Sequence, residues 1–247
     1  MIATPAWPRS LPRLYVEPPL SAGFAVGLDS AQANYLGNVL RLKKGDGALL
    51  FDGVSGEWLA QVVEADRKRM SLGVCRQTKV QESVPDLTLA FAPIKKGKLE
   101  WLVEKAVELG VSRLQPVITH RSIVDKVNLQ RLRAHIIEAA EQCGRTALAT
   151  IAEPVKLSAF LKEQDGAQTL YFADETGGET VTSAMQCGAA TILIGPEGGF
   201  TEEERNAIRA APGALAISLG PRILRAETAA LAAVTAYMAL AGDWRAS

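Results

Sequence analysis

Two stretches of the chain place chemistry-capable residues at telling intervals: TILIGPEGGFTEEE at Thr191–Glu204 and LAISLGPRILRAETA at Leu215–Ala229. Each is an apolar run of strand length, then a Gly-Pro loop, then a polar start to a helix. Gly195, Pro196, Gly198 and Gly199 form a loop with almost no side chains, which lets backbone approach a ligand closely. Thr201 and Glu204 have capping-box spacing, and Glu202, Glu203 and Glu204 fill the first helical turn with negative charge. A phosphate site needs the free N–H groups and positive dipole end of a helix, so a nucleotide phosphate is a poor guest here. Neither GxGxxG nor GxxxxGK[ST] occurs in the chain. A ligand carrying an adenosine but no phosphate fits better.

The motifs IGPEGGF and LGPRILRAETA resemble the SPOUT-class RNA methyltransferases, and most closely the RsmE type, which methylates N3 of a uridine in bacterial 16S rRNA. NVLRLKKGD at Asn38–Asp46, EKAVELGV at Glu104–Val111 and EAAEQCGR at Glu138–Arg145 are similar to the same family in the same order. The resemblance implies S-adenosylmethionine as cofactor, a C-terminal SPOUT-like α/β domain with a trefoil knot, a small N-terminal PUA-like β-barrel domain that binds RNA, and a homodimer. A knot is not readable from periodicity, because knots are nearly absent from folds in general.

Methyl transfer to uracil N3 requires loss of the N3 proton, in-line approach of the methyl group and stabilisation of charge on the neighbouring carbonyl oxygens. Arg222 and Arg225, flanking the second loop, are the candidate catalytic cations, and arginine is not a general base because its pKa exceeds about 12. Backbone groups of Gly195 and of Leu219 to Leu224, including Gly220, are candidates to hydrogen-bond adenine, with Ile194, Ile223 and Leu224 packing on its faces. Glu175 or Glu197 could offset a sulfonium charge. Pro196 and Gly198 in the first loop, and Thr228 and Ala229 at the start of the last helix, complete the candidate cofactor contacts. Methylation at uracil C5 would need a cysteine nucleophile, and no cysteine lies in these loops.

The elements that position these residues read as two domains, 1–78 and 79–247. In the first, Ala48–Asp52, Glu57–Glu64 and Met70–Cys75 read as strands separated by turn signals, the pattern of a barrel. Basic clusters there, Arg9 with Arg13, then Arg41 with Lys43 and Lys44, are either a solvated face or, by the resemblance, phosphate contacts from Arg9, Arg13 and Arg41. Gln77–Asp86 is polar and reads as a linker. From Leu87 strands and helices alternate, implying a parallel sheet with helices on both faces: strands at Leu87–Ala92, Leu114–Ile118, Thr169–Ala173, Thr191–Ile194 and Leu215–Leu219, and helices at Lys98–Leu109, Asn128–Gln142 and Ala226–Ala241. The last of these is apolar nearly all round and is expected to be buried. Arg145 is either a charge favoured by a helix C-terminus or a substrate-facing RNA contact.

The balance of charge adds no global nucleic-acid signal, since Lys plus Arg and Asp plus Glu both total 27. Three cysteines without metal-ligand spacing and only two histidines argue against a metal site and suit a reducing cytoplasm. No run approaches the roughly 20 apolar residues of a membrane span. The function expected is N3 methylation of a 16S rRNA uridine, free or in the small ribosomal subunit. The alternatives are another SPOUT activity on ribose 2′-O or tRNA, and a non-catalytic dimeric RNA-binding protein.

Overall fold

The computed structural model describes residues 11–17, 19–66, 69–124 and 126–245, so Arg9 lies outside the described residues. The chain divides into two compact units, Met1–Ser83 with Ala140–Leu148, and Val84–Ala139 with Ala149–Ser247.

In the first unit, strands β1 (Arg13–Tyr15), β2 (Ala25–Gly27), β3 (Gly47–Phe51), β4 (Glu57–Asp66) and β5 (Arg69–Lys79) form a sheet of order β1-β3-β4-β5-β2, antiparallel except for β1 with β3. Alternate residues point inward, so Leu14, Leu50, Val62, Leu72 and Val74 share one core with Leu36. Asp52 closes the β3–β4 turn by accepting from the backbone N–H groups of Val54 and Ser55, and it also accepts from Leu20 N. Helix α1 (Ser30–Asn34) is capped by Asp29 and Gln32 and runs into a π-helical turn, Tyr35–Val39. Gln77, Thr78 and Lys79, expected in a linker, extend β5 instead. Their polar side chains find partners across the strand pair: Thr78 Oγ1 donates to Glu57 O, and Gln77 Nε2 to Ser55 O.

The second unit alternates strand and helix: β6 (Leu87–Phe91), α2 (Lys96–Glu108), β7 (Arg113–Ile118), α3 (Leu129–Cys143), β8 (Thr150–Ile151), β9 (Val155–Lys156), α4 (Leu157–Lys162), β10 (Thr169–Ala173), β11 (Glu179–Thr180), α5 (Val181–Ala184), β12 (Ala190–Ile194), α6 (Glu202–Arg209), β13 (Ala214–Ser218) and α7 (Ala226–Leu240). The sheet order is β11-β13-β10-β12-β6-β7-β8, with β9 also on β7, and every pair is parallel. Buried on both faces, the central strands β6, β10 and β12 are near-continuous apolar runs rather than alternating ones. Leu170, Phe172 and Leu193 pack with Phe160 of α4 and Ile208 of α6 on one face. Tyr171, between them in sequence, points to the other face and donates its hydroxyl to Ala184 O of α5.

Helix α7 is not buried all round. Ala226, Glu227, Ala230, Ala233, Val234, Tyr237 and Met238 are its buried side, whereas Thr228, Thr235, Ala239 and Leu240 are exposed. Two threonines and small alanines mark that side, which the single chain leaves uncovered. Among the described residues no helix is long and apolar enough to cross a membrane, and no group of three or more His, Cys, Asp or Glu could hold a metal.

Candidate active site

A cavity of about 390 Å³ opens where β10, β12 and β13 end, lined by Ala173, Ile194, Ser218 and the loops that follow them. The carboxyl ends of parallel strands are where open α/β sheets bind ligands, and the volume lies within the ~300–1,000 Å³ usual for small-molecule sites.

Three loops make its walls. After β10, Asp174 is 7% exposed and accepts from Thr176 N and from Arg209 Nη2 at 2.6 Å, which fixes the turn. Gly178 then passes so close to β13 that an added Cβ would stand 2.5 Å from Ala216 carbonyl atoms. After β12, the loop folds back on itself: Gly199 N donates to Pro196 O at 2.9 Å, and the Phe200 ring lies 3.0 Å from where a Cβ on Gly195 would be. The capping box expected from the sequence is present. Thr201 Oγ1 accepts from Glu204 N at 3.1 Å, and Glu204 Oε2 accepts from Thr201 N at 2.9 Å. The other Glu204 oxygen accepts from His120 N at 2.7 Å. The N-terminus of α6 is thus closed to an anion. After β13, Gly220 to Ile223 are exposed, and the loop ends on Arg225, the N-cap of α7, which makes no side-chain cap bond.

The candidate residues gather unevenly around this cavity. Glu175, Ile194, Gly195, Pro196 and Glu197 line it from the first two loops, and Leu219, Gly220, Ile223, Leu224 and Ala229 from the third, with Arg222 and Arg225 at its rim. Gly198 and Thr228 do not line it; Gly198 instead gives its carbonyl to Arg121 Nη1 at 2.6 Å. Ile194 is buried at the end of β12, whereas Ile223 is 92% exposed, a bare apolar side chain beside the opening. Glu175 meets Arg205 at 3.1 Å, so its charge is partly balanced, while exposed Glu197 has no ion pair among the described residues.

Arg205, Arg121 and Phe200 escaped the sequence reading. Arg205 looks like an ordinary surface residue of a charged helix, and only the return of α6 beside the β10 loop brings it to the cavity. Phe200 carried a signal, since an aromatic between a Gly-Gly pair and a helix cap has no strand or helix face of its own to join.

The first-unit arginines divide as well. Arg13 is enclosed: its Nε meets Glu57 at 2.5 Å, its other nitrogens donate to Ala140 O and Arg145 O, and its guanidinium lies over the Phe51 ring at 4.3 Å. Burial raises the Glu57 carboxyl, but Arg13, Thr78 and Lys79 more than offset it and leave it below the usual carboxylate range. Arg145 is 6% exposed and lies beside Glu82, which also accepts from Thr146 N and Ala147 N. Arg41 is exposed and holds a left-handed backbone, φ 60°, where the π-helical turn ends.

The site suits a flat apolar-faced group with a cationic neighbour: buried Ile194 and half-buried Leu224 offer packing, loop backbone offers hydrogen bonds, and three acids, Asp174, Glu175 and Glu197, line the wall. An RNA methyltransferase domain model matches residues 81–238, and an RNA methyltransferase PUA domain model matches residues 28–75. The chain is 35% identical to ribosomal RNA small subunit methyltransferase E of Rickettsia conorii, across 90% of this chain and 93% of that one. It is 33% identical to the protein of the same name from Synechocystis, across 92% and 77%. The crystal structure of the Neisseria gonorrhoeae ribosomal RNA small subunit methyltransferase E bound to S-adenosyl methionine superposes with a TM-score of 0.89 at 32% identity, covering 96% of this chain and all of that one. With a family model over residues 81–238 and a relative 35% identical across nine-tenths of both chains, the chain belongs to the ribosomal RNA small subunit methyltransferase E family.

Proposed function

We propose that this protein uses S-adenosylmethionine to methylate N3 of a uridine in 16S rRNA. The observation that carries the reading is the cavity itself: beside a helix N-terminus closed by its own capping box, with buried Ile194 in its lining, acids on one wall, and Arg222 and Arg225 at its edge. S-adenosylmethionine, when bound, supplies an electrophilic methyl group on a sulfonium. Ile194, Leu224 and loop backbone would hold its adenosine, and Glu197 with Glu175 would place negative charge near its sulfonium. Arg222 and Arg225 would stabilise the uracil carbonyl oxygens as the N3 proton passes to solvent water, an electrostatic contribution of the kind that is strongest in a water-excluded site.

The remaining parts of the reading concern assembly. Arg41, exposed on the first unit, meets RNA phosphate, while Arg13 and Arg145 act by holding that unit together. The protein works as a homodimer in the cytoplasm, with the exposed side of α7 and the exposed Trp101, Leu240 and Trp244 against a second copy. Three free cysteines suit that compartment. The trefoil knot belongs to the same proposal, supported by membership of the family.

The test is incubation with labelled S-adenosylmethionine and either small subunits or 16S rRNA lacking the modification, followed by mapping of the methylated nucleotide. N3-methyluridine in 16S rRNA is the expected product. Label on ribose or in tRNA would move the protein to another SPOUT activity, and failure to bind S-adenosylmethionine with small subunits present would leave only RNA binding.

A further inference from the structure

Glu227 stands in the first turn of α7, two residues after Arg225, and is only 8% exposed. Its Oε1 meets Lys98 Nζ at 2.8 Å, and its Oε2 is buried with no hydrogen-bond partner among the described residues. An oxygen left in that state costs stability. Lys98 is also awkwardly placed. It lies in the first turn of α2, which holds no acid and whose N-cap, Lys95, makes no side-chain bond. A cation there opposes the helix dipole. The charge of Glu227 suits the start of α7, but its buried, unpartnered oxygen and the cation at the start of α2 are each locally costly, a pattern expected where function outweighs local preference.

The position of the pair says what that function is. The second Gly-Pro loop ends on Arg225, an N-cap whose side chain makes no cap bond, so the loop itself does not set the direction of α7's first turn. Glu227 does so from outside the loop. Burial pushes its carboxyl up, and hydrogen bonds from Lys98 and from its own backbone, with the charges of Lys98 and Arg225, more than offset that and keep it ionised.

We propose that the Lys98–Glu227 ion pair is a positioning device for Arg225, tying the first turn of α2 to the first turn of α7 and so fixing the backbone from which the Arg225 guanidinium meets the substrate. The inference rests on the catalytic reading of Arg225 given above. It makes Lys98 and Glu227 positioning residues that touch neither cofactor nor base.

The experiment uses the full chain with S-adenosylmethionine and small subunits lacking the modification, and compares Glu227→Ala, Lys98→Met and Lys98→Arg, each alone and combined with Arg225→Ala. Misplacement of a reacting group by about 1 Å can cost roughly 10²-fold, so Glu227→Ala and Lys98→Met are expected to lower kcat at least about tenfold. The Kd for S-adenosylmethionine should stay within about twofold, and Lys98→Arg should recover most of the rate. With Arg225 already replaced by alanine, neither variant should lower kcat further. A further tenfold loss in that background, a parallel loss of cofactor affinity, or no recovery by Lys98→Arg would each overturn the proposal. Should Glu227→Ala fail to fold, Lys98→Met at the more exposed partner gives the same reading. Full kcat in Arg225→Ala alone would overturn the catalytic reading and the pair with it, whereas a normal Arg225→Ala loss with additive pair variants would overturn the pair alone.

Discussion

The two Gly-Pro loops follow the ends of β12 and β13, the strands on either side of β10, and finish differently. The loop after β12 buries Pro196 and Phe200, bonds Gly199 N back to Pro196 O, accepts Arg121 on Gly198 O, and runs into a helix whose first turn is closed by Thr201 and Glu204. The loop after β13 leaves Gly220, Pro221, Arg222 and Ile223 exposed and enters α7 through an arginine with no cap bond. One loop satisfies its own polar groups and is a wall. The other leaves its side chains available, and its order must come from elsewhere in the unit.

Arg225→Ala tests that division most severely. Loss of a donor that stabilises developing negative charge typically costs about 10²–10³ in kcat, and a loss of that size is expected here with cofactor affinity nearly unchanged by calorimetric titration. A rate close to that of the parent protein would mean that the exposed loop is not the working surface. Glycine replacements probe the wall. Gly199 has φ 66°, and a Cβ there would stand 2.6 Å from Glu175 Oε1, so Gly199→Ala should add a backbone penalty and push the Glu175 carboxylate away from Arg205 and the cavity wall, weakening cofactor binding about tenfold. Gly220 has φ 101° but nothing within 4 Å of an added Cβ. Gly220→Ala should therefore show only the backbone penalty, roughly 1 kcal/mol. If Gly220→Ala weakens binding more than Gly199→Ala, the roles of the two loops are reversed.

Much of this was legible in the residues, and the exceptions share a cause. The apolar runs Thr169–Ala173 and Thr191–Ile194 predict strands that are present as β10 and β12, because a parallel strand buried on both faces writes itself as an unbroken apolar word. The Thr201–Glu204 box is equally local and equally visible. The two-residue strands β8, β9 and β11 are too short to carry a period, and they exist only because β7 and β13 lie alongside. The same limit applies to side chains. Glu197 and the loop glycines are identifiable from their neighbours in sequence, whereas Arg205 and the Lys98–Glu227 pair depend on partners 30 and 129 residues away.

Thr201→Ala should separate structure from chemistry at the closed loop. Removing an N-cap costs about 1 kcal/mol, which for a protein of this size lowers the thermal transition by roughly 2–4 °C. The transfer rate should stay within about twofold, since the capping hydroxyl faces the helix and not the cavity. A large fall in rate with little change in the transition would show that the wall participates in the chemistry.

The smallest expected effect distinguishes how the two helices are anchored. Neutral backbone donors and a hydroxyl close α6, together with Glu204, while α7 is steadied by the Glu227 carboxylate on Lys98. The Glu227 pKa is held below its ordinary 4.5 by that pairing, despite burial. A carboxyl depressed on folding adds stability above its unfolded pKa and loses it as pH falls through the folded value. Because Lys98 is 39% exposed, solvent screens the pair, and the contribution is a few tenths of a kcal/mol. Urea unfolding between pH 7 and pH 3 should therefore show the parent protein slightly more stable than Glu227→Gln at neutral pH, with the gap closing below about pH 4.5. A gap that persists to pH 3 would mean that the carboxyl steadies α7 by shape rather than by charge, and the second loop would then be anchored as neutrally as the first.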